Sequence, residues 1–452
     1  MSLTSVLTTA TSSLLTTQFQ IATVSDNIAN ASVAGATQKT YTPSSSASLT
    51  SSLSEGEVTR LTNTYLSQTV NSAASDNGAS SVVNTYLQSY DSALGSTSTS
   101  NDISSLLTSF QTALTTLGNA PTSSSDAASV VNAASTLASS ISSLSSSIQT
   151  LRTQASTDIG ATVTSINTDL TSLQSLNSQI AAGTETGSDV SALEDQRDTT
   201  LTDLSSMIGV QYYTTSSNQL MVYDDSGDQL LGAQAATLSY NQTGALGSST
   251  TYADGDIPGI ELNGTTDITA ALSSTGTMGG LIQMRDTTLV AQQDQLDQVA
   301  SNLISTVNTA AGTTIFSGTN ASTIAVSSTL VANPSTLLNS ATAITATVTA
   351  LTTTQQTMGA NGLATSITGT VASAAANFVS GAAAVISAAA TTATNNDTAF
   401  STAQNALSNA TGISTDQQTA LLTQYQNQYE AASELLSSVK SMFTTLITMM
   451  GS

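Results

Sequence analysis

The sequence predicts a mainly α protein with a β insertion (α+β), elongated rather than built around one large core. Three observations predict it. Apolar residues recur at alternating spacings of four and three at both ends of the chain. A longer stripe of the same kind runs through the middle. After Gly209 the pattern changes to strand and turn residues. Composition agrees: 452 residues carry a net charge of −23, only 8% are charged, and there is no Cys, His or Trp. Much of the 39% hydrophobic content is Ala. Length suggests roughly two to four domains, but so few large apolar side chains favour long helices that each bury a narrow stripe.

The first helix is expected over 2–30, with Leu3, Leu7, Ala10, Leu14, Thr17, Ile21, Val24 and Ile28 on one face. Asn30, Ser32 and Gly35 end it. Residues 36–56 are Ser/Thr-rich and aperiodic and read as extended or loosely ordered, so 1–56 reads as an N-terminal unit of one helix and an extended segment. Helix resumes near Glu57 and runs in pieces to about Leu117, where the Gly118–Pro121 turn stops it. A long helix follows over 125–182. Its stripe runs from Val130 through Ile148 and Leu151 to Ala155, slips one step at Ile159, and continues to Ile180. Asn177 lies on that stripe, either fixing register or tolerated near a helix end. A shorter helix over 188–207 completes the first part of a long-helix domain, 57–209.

Residues 210–275 read as a smaller outer β domain, with Tyr212, Tyr213, Leu220, Val222 and Tyr223 in strands and Asp225-Ser226-Gly227 in a turn. A return helix fills most of 276–311. A small β patch occupies 312–334. Residues 335–410 are Ala/Ser/Thr-rich and helical in part, with a poor period. The last helix, in 411–452, carries Leu422, Tyr425, Tyr429, Ala432, Leu436, Val439, Phe443, Leu446 and Met450 at unbroken alternating spacings. The two terminal helices are expected to pair as a coiled-coil-like domain.

Composition excludes several chemistries. Without His or Cys there is no Ser-His-Asp triad, thiolate nucleophile or zinc finger. Six Lys plus Arg cannot neutralise a phosphate backbone or bind an anionic membrane, so neither nucleic acid nor membrane is an expected partner. The best membrane-spanning candidate, Ala382–Ala390, is too short. The first residues lack the basic and apolar regions of a signal peptide. Asp224–Asp228 resembles the start of a calcium loop but lacks its closing Glu, so a hairpin turn is the better reading. Gly276–Gly280 precedes a helix without the Lys of a phosphate loop. Glu194, Asp195, Arg197 and Asp198 offer paired carboxylates, yet their spacing fits one solvated helix face. We expect no enzyme, no cofactor and no metal, and no catalytic residues.

The terminal stripes call for more. Their outer faces are mostly Ser, Thr, Gln and Asn, which can pack against further copies without burying charge. That suits a polymer; a stalk within one chain is the plainer reading. The candidate assembly interface is Leu3, Leu7, Leu14, Ile21, Val24, Ile28, Leu422, Tyr425, Tyr429, Leu436, Val439, Phe443, Leu446 and Met450.

The segment SDNIANASVAGATQKT at 25–40 resembles the stretch after the first helix in the axial proteins of the bacterial flagellum, the rod and hook group. The closing helix is similar too, through Tyr425, Tyr429, Ala431, Met442 and Leu446. Internal segments resemble the family of hook-associated protein 1, found at the hook–filament junction. They are EGEVTRLTNTYLSQTVNSAAS (Arg60, Tyr65, Leu66, Gln68), LEDQRDTTLTDLSSMIGVQ (Leu193, Gln196, Arg197, Asp198, Leu204, Ser205), GTMGGLIQMRD (Gly276, Gly280, Leu281, Arg285, Asp286) and Gly412–Asp416. Ala36 and Gln38 depart from the usual aromatic and Arg, and 335–410 shows no match. The chain is also compact for the family, which implies an outer domain that is reduced or missing.

The resemblance implies a structural protein that joins hook to filament by polymerising through its terminal helices. Its implied partners are itself in a ring or helical zone, the hook protein, a second hook-associated protein on the filament side, and an export chaperone. Its implied location is the extracellular flagellum, reached without a cleaved signal. Alternatives are another axial protein of hook or rod type, or a secreted adhesin or enzyme on a helical stalk. Flagellin is disfavoured, because the segment at 25–30 belongs to the rod and hook side.

Overall fold

The structure is a computed structural model and describes residues 3–43, 56–242, 244, 246–358 and 367–450. Helix α1 (Leu3–Asn30) leads through a short strap into an antiparallel ribbon, β1 (Lys39–Thr42) with β2 (Glu57–Arg60). Next come α2 (Thr64–Leu94), α3 (Ile103–Asn119), the 63-residue α4 (Ser124–Thr186) and α5 (Ser191–Met207). Strands β3 (Val210–Thr214), β4 (Leu220–Asp224) and β5 (Gln229–Leu231) form one antiparallel sheet; β6 (Leu238–Tyr240), β7 (Ile260–Leu262) and β8 (Thr266–Asp267) form another. A single turn, α6 (Thr269–Leu272), precedes α7 (Gly276–Gln283), which passes through a π-helical turn (Met284–Thr288) into α8 (Leu289–Ala311). The return leg holds β9 (Phe316–Ser317), β10 (Ala325–Val326), α9 (Ser328–Ala332), α10 (Ala341–Thr353), β11 (Gln356–Met358), β12 (Ile367–Gly369), α11 (Val371–Thr411) and α12 (Thr415–Met450). The fold is mainly α with small antiparallel sheets, as expected.

Local chemistry places the helix ends. Asn63, Asp102 and Ser123 each turn a side-chain oxygen onto the first free N–H groups of α2, α3 and α4. Gly187 closes α4 in the left-handed region at φ 71°. The long α4 is the spine, packed by α2, α3, α5, α7 and α8. Its stripe is fully buried at Val130, Ala134, Leu137, Ile141, Ile148, Ile159, Ile166, Leu170, Leu173 and Ile180. Two turns before Ile159 the expected Leu151 is only half-buried, and Arg152 takes the inward position instead. Helices α2 and α7 cross closely because Gly280 has no Cβ; one built there would stand 2.6 Å from the Ala79 carbonyl.

The structure corrects several expectations. The segment after Glu57 is strand, not helix, and the helix begins at Thr64. Of the two readings of 36–56, extended or loosely ordered, the extended one holds at Lys39–Thr42, which pairs with Glu57–Arg60 in register; residues 44–55 lie outside the described residues. The partly helical reading of 335–410 holds, but its helix content is larger than the poor period suggests: it holds α10 and most of the 41-residue α11, whose contact with α2 is the most extensive between elements among the described residues. Helix α11 buries Ala374, Ala375, Phe378, Val379 and Ala382, so its stripe is made of side chains too small to show a period. The length argument at Ala382–Ala390 also fails, since the helix there is long and apolar enough to cross a membrane by length and composition. A third of that window is buried inside the fold (33%).

Asparagines attach the β pieces to the helices. Asn177 donates to the Leu220 carbonyl at 2.8 Å and accepts from its N–H at 2.9 Å. Asn167 makes the same pair with Leu238, both bonds at 2.8 Å. Asn308 does so with Phe316, at 2.7 and 3.1 Å. Each amide stands in for one residue of an antiparallel ladder and satisfies a strand's open edge. Asn177 is thus neither a register device between helices nor a tolerated polar residue.

Asp169 on α4 is pushed up to about 6, first by burial and then by the neighbouring Asp203. A carboxyl whose pKa is higher in the folded state costs stability as pH rises from about 4 through about 6, and costs nothing below about 4. Asp169→Asn is therefore expected to raise the urea midpoint at about pH 8 and leave it unchanged at about pH 4. The site is half-exposed, so solvent screening holds the gain to the order of 1 kcal/mol or less. Equal gains at both pH values would assign the effect to something other than the Asp169 charge.

Candidate assembly surface and the joint beneath it

Helices α1 and α12 pack along their length, one of the two most extensive helix contacts in the fold. Asn27 Nδ2 donates to Gln418 Oε1 at 3.0 Å, so the end of α1 meets the start of α12 and the pair is antiparallel. The same Nδ2 donates to the Lys39 carbonyl at 2.8 Å, and Lys39 N–H donates to Asn27 Oδ1 at 3.0 Å. This fourth asparagine clasp ties the pair to β1.

The candidate interface residues divide by exposure. Val24 and Val439 are buried. Leu7, Leu14, Ile21, Ile28, Leu422, Tyr425, Leu436 and Phe443 are half-buried, facing the seam. Tyr429 and Leu446 are exposed, the latter at 51%. The side chains of Leu3 and Met450 lie outside the described residues. Register explains the gradient: with residue 27 beside 418, Val439 sits near Val6 and Leu7, and Leu446 has passed the start of α1. By the same register, Leu14 and Ile21 lie opposite the Ala432 and Tyr425 turns.

Beyond the seam α12 remains apolar. Leu435, Met442 and Met449 recur every seventh residue beside Leu446, exposed at 46%, 47%, 76% and 51%. Tyr429 and Ile447 are exposed on the other flank of the seam. With successive residues turned about 100° apart, apolar side chains span about half the helix, more than one partner helix covers. Only the back, with Glu430, Glu434, Ser437 and Ser441, is polar. Phe19 on α1 is also exposed and stacks on Tyr41 of β1, ring centroids 5.2 Å apart.

Beneath the pair, residues 31–38 and the ribbon β1/β2 meet α5. Arg60 reaches Glu194 at 2.8 Å, Asp195 at 3.2 Å and Asp198 at 2.7 Å. Lys39 stands 3.8 Å from Asp195, and the Thr37 hydroxyl donates to Asp195 at 2.7 Å. On the other side of α5, Arg197 donates to the Asn218 carbonyl at 2.9 Å, and Asn218 Nδ2 donates to Glu194 at 2.6 Å. Burial opposes the Arg60 charge, but Asp198, Glu194 and Asp195 outweigh it and raise its pKa. For Arg197 burial wins and the pKa falls, with Arg60 repelling and Asp198 and Glu194 only partly compensating. The reading of 194–198 as a solvated face is thus wrong: Asp195 and Arg197 are buried. Helical spacing shows that these residues share a face, but not that Arg60, 135 residues away, covers it.

Asp224 Oδ1 accepts from the N–H groups of Ser226 and Asp228, each at 2.9 Å, and Gly227 takes φ 93°, so Asp224–Asp228 is a hairpin turn. Among the described residues no cluster of acids is arranged to hold a metal ion.

Residues 87–321 match the family described as flagellar hook-associated protein FlgK helical domain. Flagellar hook-associated protein 1 of Escherichia coli (strain K12) is 30% identical over 161 residues, covering 34% of this chain and 28% of that protein. The chain therefore matches little more than a quarter of this relative's length. The structure of the flagellar hook junction protein FlgK from Burkholderia pseudomallei aligns with 54% of this chain and 43% of its own, at 25% identity and a TM-score of 0.45.

Proposed function

This chain belongs to the flagellar hook-associated protein FlgK family, and from that premise we propose that it is a structural subunit of the bacterial flagellum. It joins hook to filament by polymerising through its terminal helices. One observation carries the mechanism: the apolar arc of α12 is wider than α1 covers, leaving Leu435, Met442, Leu446, Ile447 and Met449 exposed. A stalk needs only the seam between the two helices; an uncovered apolar flank calls for a packing partner, and a nearly uncharged one suits further copies of the same helix pair. The candidate interface residues are then of two kinds. Val24, Val439 and the half-buried residues build the pair, and Tyr429 and Leu446 join the uncovered flanks between pairs.

In this reading the partners are further copies in a ring or helical zone, the hook protein below, a second hook-associated protein on the filament side, and an export chaperone. The site of action is the extracellular flagellum, reached by export without a cleaved signal. The role is structural and not enzymatic.

Hydrogen exchange tests the polymer against the stalk. The α1–α12 pair is tied to the body at one end only and buries a single apolar seam, so it opens locally more readily than the body does. The polymer reading expects protection at 3–30 and 415–450 to be clearly lower than in the body in the monomer, and to rise towards the body's level once assembled. Strong protection in the monomer that assembly does not change would support a self-contained stalk.

A further inference from the structure

The extensive contacts of α1 and α12 are with each other and, for α1, with β1. The pair is therefore attached to the body through 31–38, the β ribbon and the link at 412–414. A cleft of about 2030 Å³ lies beside this attachment, bordered by Val33, Thr37, Arg60, Asn71, Arg197 and Gln404. Apolar packing does not fill the joint; charged and polar groups bridge it.

Half of this chain's scarce cations are at that place. Of six Lys and Arg, three (Lys39, Arg60 and Arg197) lie in the cluster on α5. The strap is fitted to it: Gly35 has φ 79°, a left-handed backbone that favours glycine, and a Cβ there would strike the Thr199 hydroxyl. Thr37 N–H and hydroxyl both donate to Asp195. Gln38 N–H donates to the Thr411 carbonyl at 2.8 Å, and its own carbonyl accepts from Leu61 N–H at 2.8 Å, so incoming and outgoing chains are stitched together. A buried carboxylate bonded to three groups of the strap and ribbon fixes geometry more than it adds stability.

We infer that the Arg60–Asp195 cluster is a latch: it holds the terminal pair at one angle to the body, and once it is broken the pair swings about 31–38 and 412–414 while both parts stay folded. Two features set this direction. The cleft leaves room for the pair to turn, and the seam between α1 and α12 contains none of the latch residues. Through Glu194, Arg197 and Asn218 the same cluster also touches the β3–β4 turn, so the latched angle is set relative to the outer sheet. The inference concerns the isolated chain and stands whether or not the chain polymerises at the hook.

The chain has no Cys, so pairs of introduced cysteines can carry spin labels alone. One pair, Ser437→Cys with Ser172→Cys, spans the joint. A second, Thr112→Cys with Ser172→Cys, lies within the body. Pulsed electron resonance should give one narrow distance distribution for each in the parent. With Arg60→Gln or Asp195→Asn the spanning distribution should broaden to at least about twice its width, or split, while the body distribution stays unchanged. Asp198→Asn, at the half-exposed edge of the cluster, is the gentler variant and carries the test if the others do not fold. An unchanged spanning distribution in a folded latch variant would overturn the inference. So would equal broadening of both distributions, which would show general loosening.

Discussion

Replacing Arg152 by Ala is expected to cost on the order of 3 kcal/mol of stability, because it removes a buried cation that several oxygens share. Arg152 has no exposed surface. Its Nε donates to the Arg285 carbonyl at 2.8 Å, inside the π-helical turn between α7 and α8. Nη1 donates to Gln149 at 3.0 Å and to the carbonyls of Gly247 and Ser248 at 2.8 and 3.0 Å, and Nη2 donates to Thr250. One guanidinium thus fastens the long loop between β6 and β7 to α4 and to the π turn. Arg285 lies beside it, paired with Asp286 at 2.6 Å and donating to the Tyr240 hydroxyl at 2.9 Å. Burial and Arg285 work against the Arg152 charge and lower its pKa, with Asp286 in partial compensation. Arg152→Lys keeps the charge but loses the planar fork, so it should fall between Ala and the parent. Urea denaturation measures the loss, and hydrogen exchange over 238–262 should show where it falls. A change below about 0.5 kcal/mol would mean that water replaces the guanidinium without penalty.

Arg152 also shows where the sequence could and could not be read. The slip in the α4 stripe at Ile159 is visible as spacing, but not that an arginine turns inward two turns before it. A cation on a buried face is improbable from composition, and only the carbonyls at 247–250, about a hundred residues on in sequence, make it favourable. The terminal heptads were legible because their apolar residues are large and their period unbroken. Helix α11 was hidden because Ala packs closely without marking a face. The extended backbone of β1 was among the readings of 36–56, but its pairing with β2 was hidden, because a four-residue strand is set by its distant partner more than by its own residues.

The joint was half legible. Glu194, Asp195 and Asp198 are one turn apart, and in a chain with six cations any Lys or Arg is a candidate partner for such a group. What spacing cannot supply is the fold that brings Lys39 and Arg60 onto α5. The asparagine clasps had a usable signal as well. Asn167 lies next to the stripe of α4 and Asn177 within it, ten residues apart, facing the segment that reads as strands. A buried amide opposite an open strand edge has a partner available.

The largest effect on assembly should come from two neighbouring residues of α12 that fail in different ways. Val439 is 1% exposed in the seam. Val439→Asp puts a carboxylate against Val6 and Leu7, where residues 1–25 offer no charged partner. Burying that charge costs on the order of several kcal/mol, so the pair should open and the helix signal of the monomer should fall. Met442 is 47% exposed, and Met442→Asp should leave the monomer's helix content and melting unchanged within about 0.5 kcal/mol. If copies pack on the flank of Leu435, Met442 and Leu446, the same carboxylate is buried in every interface of the ring and assembly should fail completely. Ser441→Asp adds the same charge about 100° away, on the exposed polar back, and should assemble as the parent does. Cells carrying Met442→Asp should export the protein and build hooks, yet bear no filaments and shed flagellin into the medium. If they grow normal filaments while Val439→Asp cells do not, the helix pair matters but the uncovered flank is not the surface on which copies meet.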